Sequence, residues 1–510
     1  MMLRLYQRKA LLATLLAAAL GAATVRTASA GSDPATIKKI IDEGRTHSEL
    51  MKNFEYLTDV IGPRLTGSNK FKRAAEWTAK RMRDYGLQNV HLESWPFGRG
   101  WQRGIAYGRM TVPHEMQLDF RSYAWTPGTR GKVAGKVVVL DASTEDDLEK
   151  YKGKLAGAFV IPWEPPKAEP DFNPQPARMS DKEFKEDETS VPITLMRTSD
   201  PEAAKRSMAR LRLLPKLMRF AKEEGALALI TDSVRRDGLL NASSYALGRD
   251  PKAPESIATV TMAHEHYGTL YRLAHGGAEV RLEMEVTNYF EDGDGNAANV
   301  VGEIPGGEKP EETVILGAHL DSWDLGTGAT DNGAGSMAVL EAARILRQVY
   351  TASGTKPRRT IRFILFGGEE QGLLGSMAYV KAHQEEMAKV SGVFVLDTGT
   401  GRVRGLGTEG NKTVIPTFNE ILAPLRDIGV YYVNGRTQVG TDHLSFKFRG
   451  VPAFAFFQDA IDYMSRTHHT QADTLDKILP DDLEQASIVM AVTAYSVAAL
   501  DQVLPRKSST

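Results

Sequence analysis

The sequence has no cysteine among its 510 residues. Disulfide bonds, a thiolate nucleophile, an iron–sulfur cluster and a cysteine-type zinc site are therefore excluded, and any bound metal must be held by histidine and carboxylate side chains. The sequence also lacks an excess of either charge, because 63 Lys and Arg residues balance 64 Asp and Glu residues. Proteins that bind nucleic acid carry a basic excess, so we expect no nucleic-acid partner.

Long apolar runs are missing after the first thirty residues, so no later segment is long enough to span a membrane. The first thirty residues have the features of a secretory signal peptide: a basic start with Arg4 and Arg8, an apolar stretch at residues 10–25 and an A-x-A pattern at residues 28–30. The apolar stretch is shorter than the ~20 residues that a membrane anchor requires. We therefore expect cleavage after residue 30, a secreted or periplasmic location and no membrane association afterwards.

The remaining chain has the composition of a soluble globular protein, with 42% hydrophobic and 25% charged residues. Its C-terminal half alternates strand and helix patterns, which is typical of α/β architecture. Strands are predicted at residues 299–304, 313–318, 360–366, 393–396 and 452–457, and helices at residues 335–351, 372–383, 415–428 and 481–501. Four of these strands are nearly continuous apolar runs, as in sheets covered on both faces. The sequence thus predicts a central, mostly parallel sheet flanked by helices.

The pattern changes between about residues 121 and 286, where short strands are predicted at residues 136–140, 158–161 and 226–231. Residues 164–191 are dense in proline and charged residues and are predicted to be a solvated loop. We interpret residues 121–286 as a small β-rich module inserted into a larger domain. That domain would consist of residues 31–120 and of the chemistry-bearing residues 287–505.

Polar side chains follow the predicted strands of the C-terminal half or lie in its loops. They are His319, Asp321, Asp331, Glu369, Glu370, Asp397 and His469. Ligands of open α/β sheets gather where the strands end, so we expect these side chains to meet at one edge. Imidazole and carboxylate groups together suit zinc, with cobalt or manganese as possible substitutes.

A pair of metal ions ~3.5–4 Å apart would acidify a water between them and polarise a carbonyl group. One carboxylate must then bridge the ions, and Asp331 is the best candidate because it lies in a turn rich in glycine. Each ion needs about one histidine and one further carboxylate. His319 with Asp397 and His469 with Glu370 meet that need.

Glu369 is left beside the predicted ions without a metal to bind, which fits a general base. Asp321 could orient the other ring nitrogen of His319, a common supporting role at metal sites. Each feature has an ordinary structural alternative: a Glu-Glu pair suits the start of any helix, and Gly367 with Gly368 could form only a tight turn. Five independent features in one order favour the metal site.

The segments that contain these residues resemble the two-zinc exopeptidases, a family that includes bacterial leucyl aminopeptidases, glutamate carboxypeptidase II and, most similar in layout, carboxypeptidase Q. The matching segments are Gly317-Ala-His-Leu-Asp-Ser322, Thr330-Asp-Asn-Gly-Ala-Gly335, Phe366-Gly-Gly-Glu-Glu-Gln-Gly372, Leu396-Asp397, Gly440-Thr-Asp442 and His469-Thr-Gln-Ala-Asp-Thr-Leu475. The resemblance implies two Zn²⁺ ions per chain, peptide or dipeptide substrates and a possible homodimer.

The resemblance also implies the same ligand assignment, with one ion on His319, Asp331 and Asp397, the other on Asp331, Glu370 and His469, and Glu369 as the base. It implies that the inserted module is similar to a protease-associated domain and that the Asp331–Asn332 peptide is cis. The expected reaction is hydrolysis of a terminal peptide bond in a short peptide or of a dipeptide.

Two further histidines are expected near the substrate. His468 takes a place where relatives often have tyrosine and could help to stabilise the oxyanion, and His443 is expected in the pocket wall, not as a ligand. Three alternative functions stay open: an aminopeptidase of the same family, a glutaminyl cyclase with a single zinc, and a receptor-like binding module without activity.

Overall fold

The computed structural model describes residues 31–167, 178, 201–244, 248–435 and 437–507, and residues 201–204 by their backbone alone. The predicted signal peptide and most of the predicted solvated loop lie outside the described residues. Within the described ranges, no helix combines the length and the apolar composition that a membrane crossing requires.

The strands and helices are numbered along the chain. The strands are β1 (Gln88–Pro96), β2 (Gly100–Val112), β3 (Met116–Gln117), β4 (Phe120–Ser122), β5 (Val133–Val139), β6 (Ala158–Ile161), β7 (Ala228–Asp232), β8 (Thr259–Met262), β9 (Arg281–Glu291), β10 (Asn296–Ile304), β11 (Lys309–His319), β12 (Arg359–Phe366), β13 (Val390–Val395), β14 (Val403–Gly407), β15 (Tyr432–Asn434) and β16 (Ala453–Gln458). The helices are α1 (Pro34–Thr46), α2 (Leu50–Glu55), α3 (Asn69–Asp84), α4 (Pro201–Glu223), α5 (His264–His275), α6 (Ala334–Ser353), α7 (Leu374–Ala382), α8 (Ile415–Leu422), α9 (His443–Lys447) and α10 (Pro480–Ala499).

The first of two eight-stranded sheets has the strand order β1-β10-β12-β11-β13-β16-β14-β15. Its middle strands β12, β11, β13 and β16 run parallel to one another. The pairs β1–β10, β10–β12 and β16–β14 are antiparallel, and the edge pair β14–β15 is parallel. The predicted α/β fold, a central mostly parallel sheet flanked by helices, is confirmed.

Helices cover both faces of this sheet. Val314 and Leu316 of β11 belong to a core shared with α1, α3, α6 and α10. Ile315 points to the opposite face and packs in a second core with Tyr379 of α7 and Phe446 of α9. Burial of alternate side chains on two faces explains the continuous apolar sequence of the strand.

The second sheet has the order β3-β2-β9-β5-β6-β7-β8-β4 and a separate apolar core. Its longest pairing is the antiparallel ladder between β2 and β9, from Gly100 opposite Glu291 to Val112 opposite Arg281. The sheet therefore extends from residue 100 to residue 291, and the predicted boundary at residue 121 falls inside it. Local sequence patterns could not place this boundary, because the partner of β2 comes only at the far end of the insertion.

Candidate metal centre

The inner half of the predicted centre consists of His319 and Asp397. His319 ends β11 and Asp397 follows the neighbouring parallel strand β13, so both lie at the same edge of the sheet. His319 Nε2 lies 3.1 Å from Asp397 Oδ1 and 3.4 Å from Asp331 Oδ1. The side chain of His319 is only 1% exposed, so this half is sealed from solvent.

The outer half consists of His469 and Glu370. His469 Nε2 lies 2.9 Å from Glu370 Oε2 and 3.4 Å from Asp331 Oδ2. The His469 side chain is 21% exposed, and its ring meets the ring of Trp323 edge to face at 6.0 Å. The outer half therefore lies closer to solvent than the inner half.

Asp331 lies between the two halves with one carboxylate oxygen towards each. Its turn is fixed by Asn332, whose Nδ2 donates to the Leu396 carbonyl oxygen at 2.9 Å and whose Oδ1 accepts from the backbone N–H of Gly335 at 2.8 Å. The Asp331–Asn332 peptide is cis, as the resemblance implies. Among the described residues, buried Asp331 Oδ2 has no hydrogen-bond donor, although a buried carboxylate oxygen normally has one.

Asp473 supports this turn, a role that the sequence reasoning missed. Its carboxylate accepts hydrogen bonds from the backbone N–H of Thr330 at 2.5 Å, from Thr330 Oγ1 at 2.8 Å and from the backbone N–H of Asp331 at 3.2 Å. The only sequence signal was its position four residues after His469 in the same motif. One loop thus contributes both an outer ligand candidate and the support of Asp331.

Glu369 lies beside the inner half, with Oε2 3.9 Å from His319 Nε2. Asp321 holds the turn that carries both glutamates, because its carboxylate accepts from the backbone N–H groups of Glu369 at 3.2 Å and of Glu370 at 3.3 Å. The expected contact with His319 is made differently: His319 Nδ1 lies 3.0 Å from the backbone oxygen of Asp321 and 3.6 Å from its carboxylate. The backbone carbonyl is thus the nearer acceptor for the ring.

The two further histidines have different surroundings. His468 Nε2 lies 3.9 Å from Asp331 Oδ2, and the ring stacks on His469 at 3.7 Å. His443 is fully buried, with Nε2 3.5 Å from Glu409 Oε2. The geometry therefore brings His468 into the cluster, whereas the described contact of His443 is with Glu409.

Burial controls the charges in this cluster. It raises the pKa of Glu369 and of Glu370 well above the usual carboxyl range, and nearby carboxylates add to the effect. Burial lowers the pKa of His319, but the Asp397 and Glu369 carboxylates outweigh it and raise the pKa well above its usual value. Burial lowers the pKa of His469. A buried cluster of several carboxylates is an environment that a divalent cation compensates.

The loop of the outer half also contacts the second sheet. Arg235, three residues after β7, donates from Nη1 to the Met464 carbonyl oxygen at 3.0 Å and from Nη2 to the His468 carbonyl oxygen at 3.3 Å. The backbone N–H of Leu240 donates to Gln471 Oε1 at 2.7 Å. The second sheet thus supports the loop that carries His469.

Comparison with known proteins also indicates a metallopeptidase. Residues 299–494 match the model of Peptidase family M28. Carboxypeptidase Q of Bos taurus is 29% identical over 470 residues, which are 91% of this chain and 88% of the relative. A crystal structure of a peptidase M28 precursor from Shewanella amazonensis has 27% identity and a TM-score of 0.69, covering 93% of this chain and 99% of that one.

A zinc aminopeptidase from Bacillus subtilis shares the fold, with a TM-score of 0.56, 19% identity and coverage of 87% of this chain and 93% of that one. The resemblance seen in the sequence is therefore confirmed. Residues 299–494 match peptidase family M28, and the chain is a metallopeptidase similar to carboxypeptidase Q along most of its length.

Proposed function

We propose that the chain is an exopeptidase with two co-catalytic zinc ions that hydrolyses terminal peptide bonds of short peptides or dipeptides. One observation carries the proposal: the two carboxylate oxygens of Asp331 face a histidine each, with His319 Nε2 and His469 Nε2 both at 3.4 Å. A bridging carboxylate between two separate ligand pairs is what a two-metal site needs.

The side chains present fit zinc. The inner ion would be held by His319, Asp331 and Asp397, whose potential ligand atoms lie within 4.8 Å of one another. The outer ion would be held by Asp331, His469 and Glu370, and the donor-free Oδ2 of Asp331 is directed to that side. Imidazole nitrogen with carboxylate oxygen is a ligand set that zinc prefers in the absence of thiolates.

Bound zinc would supply Lewis acidity for the scissile carbonyl and lower the pKa of the attacking water. Glu369 would take a proton from that water and return it to the leaving amine. The backbone hydrogen bonds from Glu369 and Glu370 to Asp321 hold the two neighbouring glutamates at the edge of the sheet. His468, which lies 3.9 Å from Asp331, would be near the developing oxyanion.

Substitution Glu369→Gln tests this reading. The amide keeps the shape of the side chain but cannot accept the proton, so we expect bound zinc to be unchanged and kcat to fall by about 10²–10⁴-fold. Metal content and steady-state hydrolysis of a dipeptide would be measured on the same preparation. Wild-type turnover in Glu369→Gln would contradict the role of the base.

A dipeptide panel with one terminus blocked at a time, with and without a chelator, tests the substrate class. Dependence on a free carboxyl terminus supports a carboxypeptidase Q-like or dipeptidase activity, and dependence on a free amino terminus supports an aminopeptidase. The second outcome has its own support, since a probable leucine aminopeptidase of Arthroderma otae is 32% identical over 203 residues.

We further propose that residues 1–30 direct the chain to the periplasm or the exterior and are then removed. The remaining chain divides at the sheets: residues 100–291 form a module similar to a protease-associated domain, and the flanking residues form the peptidase domain. The homodimer that the resemblance implies stays a prediction.

A further inference from the structure

The loop between α2 and α3 passes under the metal centre, and its residue Arg64 is 0% exposed. The guanidinium donates from Nε to the Leu320 carbonyl oxygen, from Nη1 to that of Thr327 and from Nη2 to that of Gly328, each at 2.7 Å. Nη1 also donates to the Gly62 carbonyl oxygen at 3.3 Å. All of these acceptors are backbone atoms. The arginine therefore fixes the backbone positions of these segments, whatever side chains they carry.

The accepting carbonyl groups belong to the two segments that carry the inner ligand candidates. Leu320 directly follows His319, and Gly328 lies three residues before Asp331. A single planar guanidinium therefore fixes the distance between the end of β11 and the turn of the bridging aspartate. Gly328 has a φ of 64°, and a Cβ there would lie 2.3 Å from Ser322 Cβ and 2.8 Å from Arg64 Nη2, so the turn packs against both residues as only glycine allows.

The same loop makes two further contacts with the centre. The backbone N–H of Arg64 donates to Ser322 Oγ at 3.0 Å, and the backbone N–H of Ser322 donates to the Arg64 carbonyl oxygen at 3.2 Å. Thr66 Oγ1 donates to Asp321 Oδ2 at 2.8 Å, which is the carboxylate that holds the turn of the two glutamates.

The positive charge of Arg64 also interacts with the acidic side chains of the metal centre. The hydrogen bonds described for its guanidinium all go to backbone carbonyl oxygens, and a buried charge that is not paired with an opposite charge is costly. Burial lowers its pKa to about 10, opposed by the negative charges of Asp473, Asp321 and Asp331. The group thus remains a cation at neutral pH and faces the acids of the centre as a group. Lysine could not replace it, because one ammonium cannot match the planar fork that reaches carbonyl groups in two segments.

We propose that Arg64 is a positioning residue of the metal centre: its guanidinium holds the His319 segment and the Asp331 turn at the spacing that a metal ion needs. The inference rests on the proposed two-metal function. Arg64 touches neither substrate nor the predicted ions and acts through the backbone of the segments that carry the ligands.

Zinc binding of the metal-free full chain tests the inference, measured by competition with a chromogenic chelator. Arg64→Lys keeps the charge but loses the fork, and we expect its zinc affinity to fall by about 10–100-fold, as for other residues that orient metal ligands. The melting temperature without metal is measured on the same samples.

Arg359→Lys is the matched control. Arg359 is also 0% exposed and donates to the Leu500 and Ala498 carbonyl oxygens, and it pairs with Glu312 at 2.6 Å. It begins β12, at the end of the strand opposite the one that lies beside His319. We expect this variant to lower the melting temperature and to keep the zinc affinity of the wild type. Equal zinc affinity in Arg64→Lys and Arg359→Lys would overturn the inference, because Arg64 would then be a structural residue only.

Ser322→Ala keeps the test decisive if Arg64→Lys does not fold. It removes only the hydroxyl that accepts from the backbone N–H of Arg64 and so joins the Arg64 loop to the segment after His319. We expect zinc affinity to fall by about 2–10-fold, the equivalent of one hydrogen bond. Unchanged affinity would count against the inference. A wild-type chain that binds no zinc would instead contradict the proposed function, so that the two failures are distinguishable.

Discussion

The inner and outer halves of the candidate metal centre are held in place by different parts of the fold. His319 of the inner half ends a central strand, is 1% exposed and has its Nδ1 3.0 Å from a backbone carbonyl oxygen. His469 of the outer half lies in a loop, is 21% exposed and has a positive φ of 62°. Its loop is supported by Arg235, which follows β7 of the second sheet, and is joined to the Asp331 turn by Asp473 of the same loop. The inner half is therefore part of the sheet, whereas the outer half depends on contacts that a loop makes.

This difference indicates that the two ions proposed on either side of Asp331 would be held differently. His319 and Asp397 of the inner half are buried at the ends of two neighbouring strands, so we expect their geometry to persist without an ion. The outer half meets solvent through His469, which is 21% exposed, whereas the side chain of Glu370 is 2% exposed. We therefore expect the outer ion to exchange more readily than the inner ion.

Loss of the shared ligand should have the largest effect. Among the residues that the structure describes, Asp331 is the carboxylate that faces both histidines, so we expect Asp331→Ala to lose both zinc ions and all measurable hydrolysis. Metal content after dialysis and turnover of a dipeptide check this outcome. A variant that keeps one tightly bound ion would show that the two halves are more independent than the shared carboxylate implies.

Loss of one histidine should separate the halves. His469→Ala removes only an outer ligand, and we expect one ion to remain, whereas His319→Ala should weaken both, because Asp331 and Asp397 lose their common neighbour. Zinc per chain is counted for both variants under equal dialysis. If His469→Ala lost both ions and His319→Ala kept one, the ranking of the halves would be reversed.

Loss of the support from the second sheet should have the smallest effect. Arg235→Ala removes the hydrogen bonds to the Met464 and His468 carbonyl oxygens, and we expect the affinity of the outer ion to fall about tenfold. Arg121→Ala is the control, since Arg121 is an exposed arginine of the same sheet that donates to the carbonyl oxygen of Phe120. Equal affinity for the outer ion in the two variants would show that the second sheet does not support the outer half.

The sequence predicted the ligand candidates because one rule covers most of them: polar residues after parallel strands meet at one edge of a sheet. His319 and Asp397 follow that rule directly, and their separation of 3.1 Å agrees with it. Helix ends were predicted less well. The helix predicted to residue 428 ends at Leu422 and continues as a tighter turn that begins at Ala423 and contains a proline, a residue that cannot donate to a regular helix.

The supporting residues could not be predicted in the same way. Arg64 donates to the carbonyl group of Gly328, 264 positions away, and Arg235 to that of His468, 233 positions away. Every residue has a backbone carbonyl group, so the local sequence does not identify which carbonyl accepts the hydrogen bond. The ladder of β2 with β9 was missed for the same reason, because it joins the two ends of the inserted module, which are far apart in sequence.

The number of zinc ions bound per chain decides whether the site holds two metals. Metal-free protein is titrated with zinc in a calorimeter, and the stoichiometry is confirmed by elemental analysis of the dialysed complex. The proposed two-metal function predicts two ions per chain with unequal affinities, the weaker of which is lost in His469→Ala. A stoichiometry of one, or no zinc binding at all, would contradict it.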